Sequence, residues 1–217
     1  MNEHNDFRQE MQDKFRELVP DYSQPPQPEE FRIGFGRRLG AYLIDFVIYM
    51  FLLVLAMSFF GILDDFASLM TIGQDFGENP EELQIIMKDL YARFYPLVLV
   101  IAFAYYSMEI FFAQTVGKMV LSIKIANSNR TQACLGTLVK RFVAKYFNYF
   151  WLLLYIITNI EIFSIFQSFF GIVIFIGCFL VLSQSRMALH DHIAKTAVFF
   201  KDEILPDEIN KANSINI

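Results

Sequence analysis

Long runs of apolar residues alternate with short polar segments along this chain, and their lengths predict helices that cross a membrane. About 20 apolar residues, each adding ~1.5 Å of rise, are needed to cross the hydrocarbon layer. Four runs approach that length, and they cover residues 41–63, 94–113, 147–163 and 165–183. The pattern therefore predicts an all-α membrane protein, a bundle of four transmembrane helices whose last two form a tight hairpin.

Before and between these runs, apolar residues recur at helical spacing in three shorter segments. They are residues 5–19, residues 83–94 and residues 135–146. In the third, Lys140, Arg141 and Lys145 lie opposite the apolar stripe, which is typical of a helix lying in the membrane interface. The alternative is a helix packed on a small soluble subdomain. The stretch VLSIKIA (residues 120–126) alternates as a short strand would.

The composition is also that of a membrane protein, and its changes along the chain divide the sequence into a central domain and two polar tails. The chain is 55% hydrophobic, with a mean hydropathy of +0.38. Residues 1–30 form a polar tail with a proline-rich linker, residues 31–201 the transmembrane domain, and residues 202–217 a polar C-terminal tail. We expect no cleavable signal peptide, because no apolar core follows the N-terminus. We also expect free thiols at Cys134 and Cys178.

The distribution of lysine and arginine predicts the orientation. Basic residues cluster before the first run, between the second and third runs, and after the fourth: Arg32, Arg37 and Arg38; Lys118, Lys124, Arg130, Lys140, Arg141 and Lys145; Arg186 and Lys195. The loop after the first run is instead rich in acids. Because basic loops stay on the cytoplasmic side, four spans with both termini in the cytoplasm are expected for a protein of the cell membrane.

Polar residues interrupt three of the apolar runs at a similar depth. Asp45 and Glu109 each lie four residues, roughly 6 Å, inside the cytoplasmic edge of their runs, and Asn148 lies near the same level. An ionised acid inside a membrane is costly, so it usually faces protein or water. We therefore predict that Asp45 and Glu109 face each other and share protons or bind a cation between them.

Helical spacing extends this site along two of the spans. Tyr42 follows Arg38 by one turn and precedes Asp45 on the same stripe, and Tyr105 precedes Glu109 by four residues. One interpretation is a hydrated pocket that attracts cations or exchanges protons. The other is a structural polar network that fixes the bundle in register. The spacing does not separate them.

Weaker patterns carry no further site. Gly117-Lys118 lacks the glycine and the hydroxyl residue that a phosphate-binding loop requires. His190 and His192, two apart on a helix, point in different directions, so we predict no metal site. No nucleophile with a neighbouring base is recognisable. We expect no enzyme activity, no cofactor and no nucleic-acid partner.

Three segments together resemble the RDD family of membrane proteins. They are RRLGAYLIDF at the first span, AQTVGKMVLSIKIA after the second and ALHDHIAKTAVFF near the end of the chain. The arginine and two aspartates of that family correspond here to Arg38, Asp45 and Asp191. The resemblance covers about residues 31–201, with His192 standing where the family often has lysine. It implies the fold more strongly than a function, for which transport has been proposed.

The resemblance adds Asp191 to the site. Arg38 and Asp191 would both lie at the cytoplasmic mouth of the bundle, so we predict an ion pair between them. The segments SIKIA and TAVFF would pair there as a small cytoplasmic β-pair. Two functions remain open. The first is transport of a small cation or a proton-coupled solute, with a homo-oligomer forming the pathway. The second is a non-transporting accessory or scaffold protein of a membrane complex.

Overall fold

The computed structural model describes residues 27–72 and 80–205, and within them the chain is mostly helical. The helices are α1 (Phe35–Phe59), α2 (Ile62–Ile72), α3 (Pro80–Tyr106), α4 (Met108–Phe112), α5 (Val116–Val120), α6 (Leu135–Lys145), α7 (Phe147–Thr158), α8 (Ile162–Cys178) and α9 (Leu189–Ala194). Two strands are present, β1 (Ile123–Asn127) and β2 (Thr196–Phe200), together with the 3-10 turns Phe179–Leu182 and Lys201–Glu203. The helix predicted over residues 5–19 lies outside the described residues.

Among the described residues, three helical segments are long and apolar enough to cross a membrane. They are Phe35–Phe59, Leu83–Phe112, which joins most of α3 to α4 across a break at Ser107, and Ile162–Leu182. Their outward surfaces carry exposed apolar side chains such as Phe51, 67% exposed, and Phe175, 65% exposed. In water such surfaces would be unfavourable, whereas lipid accepts them. These helices are the membrane-spanning candidates of the fold.

The predicted third span is much shorter than expected. Helix α7 has only 12 residues and ends at Asn159, which adopts a left-handed conformation with φ 57°. At ~1.5 Å per residue it covers roughly 18 Å, short of the ~30 Å of the hydrocarbon core. The predicted hairpin with α8 is present, because the ring of Trp151 packs on Phe163 and Phe170 of α8.

The predicted strand pair is confirmed. β1 and β2 are antiparallel, with Ile123 opposite Phe200 and Asn127 opposite Thr196. Ile123 and Ile125 of β1 lie in the core, both at most 1% exposed, and Ala126 beside them is also buried. The pair is attached to the helices by backbone hydrogen bonds: the N–H of Ile33 donates to the carbonyl of Val198, and the N–H of Ile125 donates to that of Ala113. We call β1, β2 and α9 the cap.

Two of the three basic side chains of α6, Arg141 and Lys145, turn into the protein and contact Glu109, whereas Lys140 is exposed. This corrects the expectation that all three lie on a face turned away from the protein. Arg141 is 2% exposed, whereas Val143 on the apolar stripe is 53% exposed. The reason is that Glu109 on α4 and Asp191 on α9 are buried and attract the cations of α6. The outward apolar stripe is then free to contact lipid, as an interfacial helix would.

Candidate functional site

Asp45 is the first of three buried acids at one end of the bundle, which we call the polar end. It lies on α1 and is 4% exposed. Its Oδ1 accepts hydrogen bonds from the hydroxyl of Tyr105 and from the backbone N–H of Gly117, each at 2.7 Å. Its Oδ2 accepts one from the hydroxyl of Thr115 at 2.5 Å. Within the described part of the chain, Asp45 forms no salt bridge, so three neutral donors hold this carboxylate.

The absence of a side chain at Gly117 allows this arrangement. A Cβ placed on Gly117 would lie 2.2 Å from the carbonyl oxygen of Ala41 and 2.9 Å from Cγ of Asp45. The first distance is to backbone and cannot be relieved by rotating a side chain. Helix α5 therefore approaches α1 closely enough to hydrogen-bond Asp45 only because glycine occupies this position.

Glu109, the second buried acid, is surrounded by cations. It lies on α4 and is 2% exposed. Its Oε1 accepts hydrogen bonds from Nζ of Lys118 at 2.5 Å and from Nζ of Lys145 at 2.8 Å. Its Oε2 accepts one from Nη1 of Arg141 at 2.7 Å. One carboxylate therefore joins α4 to α5 and α6.

Asp191, the third buried acid, lies on α9 and is fully buried. Its Oδ1 accepts a hydrogen bond from Nε of Arg141 at 2.8 Å, and its Oδ2 accepts one from Nη1 of Arg38 at 2.5 Å. Arg38 also donates to the carbonyl oxygens of Ile33 and Arg186. The predicted ion pair between Arg38 and Asp191 is thus present. Arg141 bridges Asp191 and Glu109, and so links the cap to the membrane-spanning helices.

The cations at the polar end outnumber the carboxylates that they contact. Glu109 and Asp191 contact four cationic side chains: Arg38, Lys118, Arg141 and Lys145. Burial lowers the pKa of Lys118 to about 7; Glu109 opposes that shift, whereas Lys145 and Arg141 add to it. Burial alone would raise the pKa of Asp191, but Arg141 and Arg38 hold it well below its usual value. Lys118 is therefore the group of this cluster that can release a proton near neutral pH.

Two of the predicted site residues, Tyr42 and Asn148, form no hydrogen bond with either acid within the described part of the chain. Tyr42 is 55% exposed on the outer side of α1, where its ring stacks on that of Phe46. The stripe prediction was wrong for Tyr42, which lies about 100° around the helix from Ala41 and about 60° from Asp45. Asn148 is half-buried, and within the described residues its side chain hydrogen-bonds neither acid. Tyr105, in contrast, contacts Asp45 directly.

The predicted pairing of Asp45 with Glu109 is replaced by two separate sets of partners. Both acids flank the same dipeptide: the N–H of Gly117 binds Asp45, and the side chain of Lys118 binds Glu109. Glu109 is neutralised by cations, so it does not need to share a proton with another carboxylate.

Sequence reasoning overlooked the donors of this site. Thr115, Gly117 and Lys118 lie in the segment AQTVGKMVLSIKIA, and Arg141 and Lys145 lie on the amphipathic helix. One signal could have found them: buried acids require compensating cations, and the connection between the second and third runs is the richest source of lysine and arginine.

Comparison with known proteins gives one match. A model of the RDD family matches residues 32–195, which include Arg38, Asp45, Glu109, Arg141 and Asp191. No curated protein matches the chain, and no solved structure does.

We predict that Gly117→Ala destabilises the protein, because the added methyl group would overlap the backbone of α1. Overpacking of this kind costs about 1–3 kcal/mol of the free energy of unfolding. Gly171→Ala on α8 is the matched control, since a Cβ there meets nothing within 4 Å. Thermal unfolding of both variants in detergent, followed by circular dichroism, provides the measurement. Equal melting temperatures for the two variants would mean that α5 does not pack against α1 in this way.

Proposed function

This chain belongs to the RDD family, and on that premise we propose that it is a proton-linked transporter of a small cation in the cytoplasmic membrane. The polar end carries out the exchange: Asp45 holds the cation, and Lys118 carries the proton. The protein catalyses no covalent chemistry, and a homo-oligomer forms the pathway.

The surroundings of Asp45 support a cation site. The hydroxyl oxygen atoms of Tyr105 and Thr115 each lie within hydrogen-bond distance of the carboxylate of Asp45. Hard cations prefer such oxygen ligands. Of the three buried acids described here, Glu109 and Asp191 already have cationic partners, and Asp45 has neutral donors. A small cation would supply the positive partner that the Asp45 carboxylate lacks among the described residues.

The position of Lys118 supports coupling to protons. Gly117 contacts Asp45 through its N–H, and Lys118, the next residue, contacts Glu109. In a site of low dielectric, a positive charge at Asp45 disfavours a second positive charge at Lys118. Binding of a cation would therefore promote loss of the Lys118 proton, and protonation of Lys118 would promote release of the cation.

The strand pair supports a topology in which α7 and α8 enter the membrane and return. β1 follows the second membrane-spanning candidate and β2 follows the third, yet they pair with each other. Residue Ile33, before α1, binds Val198 in the same cap. All three segments then lie on one side, and the basic residues make that side the cytoplasm. The α7–α8 hairpin completes an even number of crossings, with four spans and both termini inside.

The short length of α7 indicates how deep in the membrane the site lies. If the tip of the hairpin lies at the outer surface, a 12-residue α7 starts roughly 12 Å above the cytoplasmic edge of a ~30 Å hydrocarbon core. Helix α6 and the cations that it carries would then lie within the cytoplasmic half of the membrane. A site at that depth is accessible from the cytoplasm by a short path.

The second candidate is an accessory or scaffold protein of a membrane complex. It is favoured by the full set of partners around Glu109, whose two oxygen atoms accept three hydrogen bonds from cations. Networks with every member satisfied rigidify a fold and need no ligand. This function predicts that the protein carries no flux of its own.

We predict that Ser68 and Cys134 lie on opposite sides of the membrane. Ser68 is on α2 directly after α1, and Cys134 is an exposed native thiol just before α6. In spheroplasts, an impermeant maleimide should label Ser68→Cys in a background without the two native cysteines. The protein with Cys134 as its only cysteine should react only after permeabilisation. Labelling of both before permeabilisation would contradict the topology.

We predict that a pH gradient drives cation uptake into proteoliposomes that contain the wild-type protein. Asp45→Asn should abolish this uptake, because the cation site is lost. Lys118→Met should make the rate of uptake independent of pH, because the group that carries the proton is lost. Wild-type uptake should change with a midpoint close to pH 7, because burial lowers the pKa of Lys118 to about 7. Lys201→Met changes an exposed lysine elsewhere and is the matched control. Flux is normalised to folded protein in the vesicles. Wild-type vesicles that take up no more cation than empty ones would favour the accessory function.

A further inference from the structure

An apolar groove of about 670 Å³ lies between α3, α6 and α7. Its walls include Val100 and Phe103 of α3, Val143 of α6, and Phe150 and Leu153 of α7. Several of these side chains are exposed, with Val100 66% and Val143 53% exposed. The groove therefore opens on the outer surface of the helices, where lipid surrounds a membrane protein.

Positive charge lies at one end of this groove. Tyr106 and Tyr146 line it, and Nζ of Lys145 lies 5.7 Å and 4.8 Å from the centroids of their rings. Lys140 is exposed on α6 one turn before Val143, hence on the same face of the helix. Within the described residues Lys140 forms no salt bridge. Lys145 contacts Glu109, but the cluster to which it belongs contains four cations for two carboxylates, so the net charge beside this end of the groove is positive.

We propose that the groove binds one anionic phospholipid of the surrounding bilayer. An acyl chain lies along the apolar walls, and the phosphate group contacts Lys140 at the positively charged end. The volume suits this occupant, because cavities of about 300–1,000 Å³ hold ligands the size of small molecules. A helix with side chains is roughly 10–12 Å wide and would need a longer and broader surface. The charge at the end of the groove selects an anionic headgroup over a zwitterionic one.

The test uses native mass spectrometry of the full-length protein after delipidation in detergent. Phosphatidylglycerol and phosphatidylcholine with identical acyl chains are added at equal concentration, and the fraction of protein with one bound lipid is measured. Lys140→Gln removes the exposed charge, and Val143→Trp fills the groove. The matched controls are Lys201→Gln, at another exposed lysine, and Ile172→Trp, at an apolar residue of α8 that is 60% exposed and outside the groove.

The wild type should bind phosphatidylglycerol in preference to phosphatidylcholine. Since a lysine near an anionic lipid contributes on the order of a fivefold change in affinity, Lys140→Gln should reduce that preference about fivefold. Val143→Trp should reduce binding of both lipids, and the two controls should match the wild type. Equal binding of the two lipids by the wild type would overturn the proposal. So would equal binding by Val143→Trp and Ile172→Trp, or a dimer that excludes lipid, which would assign the groove to a second copy of the chain.

Discussion

The guanidinium group of Arg141 holds the polar end together by binding two buried carboxylates at once. Through Nη1 it contacts Glu109 on the second membrane-spanning candidate, and through Nε it contacts Asp191 in the cap. It is 2% exposed, so neither water nor lipid headgroups can substitute for these partners. Losing one member of a buried ion pair costs about 3–5 kcal/mol, mostly because the remaining charge is left without a partner. The fixed geometry of arginine suits such a bridge better than lysine would.

Several features of the fold follow from that bridge. Helix α6 must turn Arg141 and Lys145 inward, which leaves most of its apolar stripe, including Val139 and Val143, for lipid. Asp191, held by Arg141, also receives Arg38 from α1, so the cap is joined to the first span. Lys118 is buried in contact with Glu109 and beside Arg141 and Lys145, and these conditions bring its pKa close to neutral. The same cationic excess makes the end of the apolar groove a favourable place for an anionic lipid. A structural constraint and two proposed functional properties therefore depend on the same small set of charges.

The sequence predicted those parts of the molecule that depend on a single stretch of residues, such as a long apolar run or a short alternating pattern. Long apolar runs predicted the three long helices but not the short length of α7. The alternation of VLSIKIA predicted β1, and its pairing with TAVFF was expected once the family resemblance had been found. The resemblance to a family predicted that Arg38 meets Asp191. The partners of Asp45 and Glu109 could not be predicted, because they depend on how α5 and α6 pack. Gly117 looked like an ordinary loop residue until its closeness to Ala41 was known, and Arg141 looked solvent-exposed because it lies opposite an apolar stripe. In a membrane that stripe faces outward, which reverses the rule for soluble helices.

A double-mutant cycle on Arg141 and Glu109 tests the bridge most directly. The free energy of unfolding in detergent is measured for the wild type, Arg141→Met, Glu109→Gln and the double variant, with Lys140→Met as the exposed control on the same helix. We predict that each single variant at the bridge loses several kcal/mol, because a buried charge is left without its partner, and that the double variant loses less than their sum by about 1–3 kcal/mol. Lys140→Met should change little. If the losses at Arg141 and Glu109 add, the two side chains do not interact in the folded protein, and the central role given to Arg141 would be contradicted.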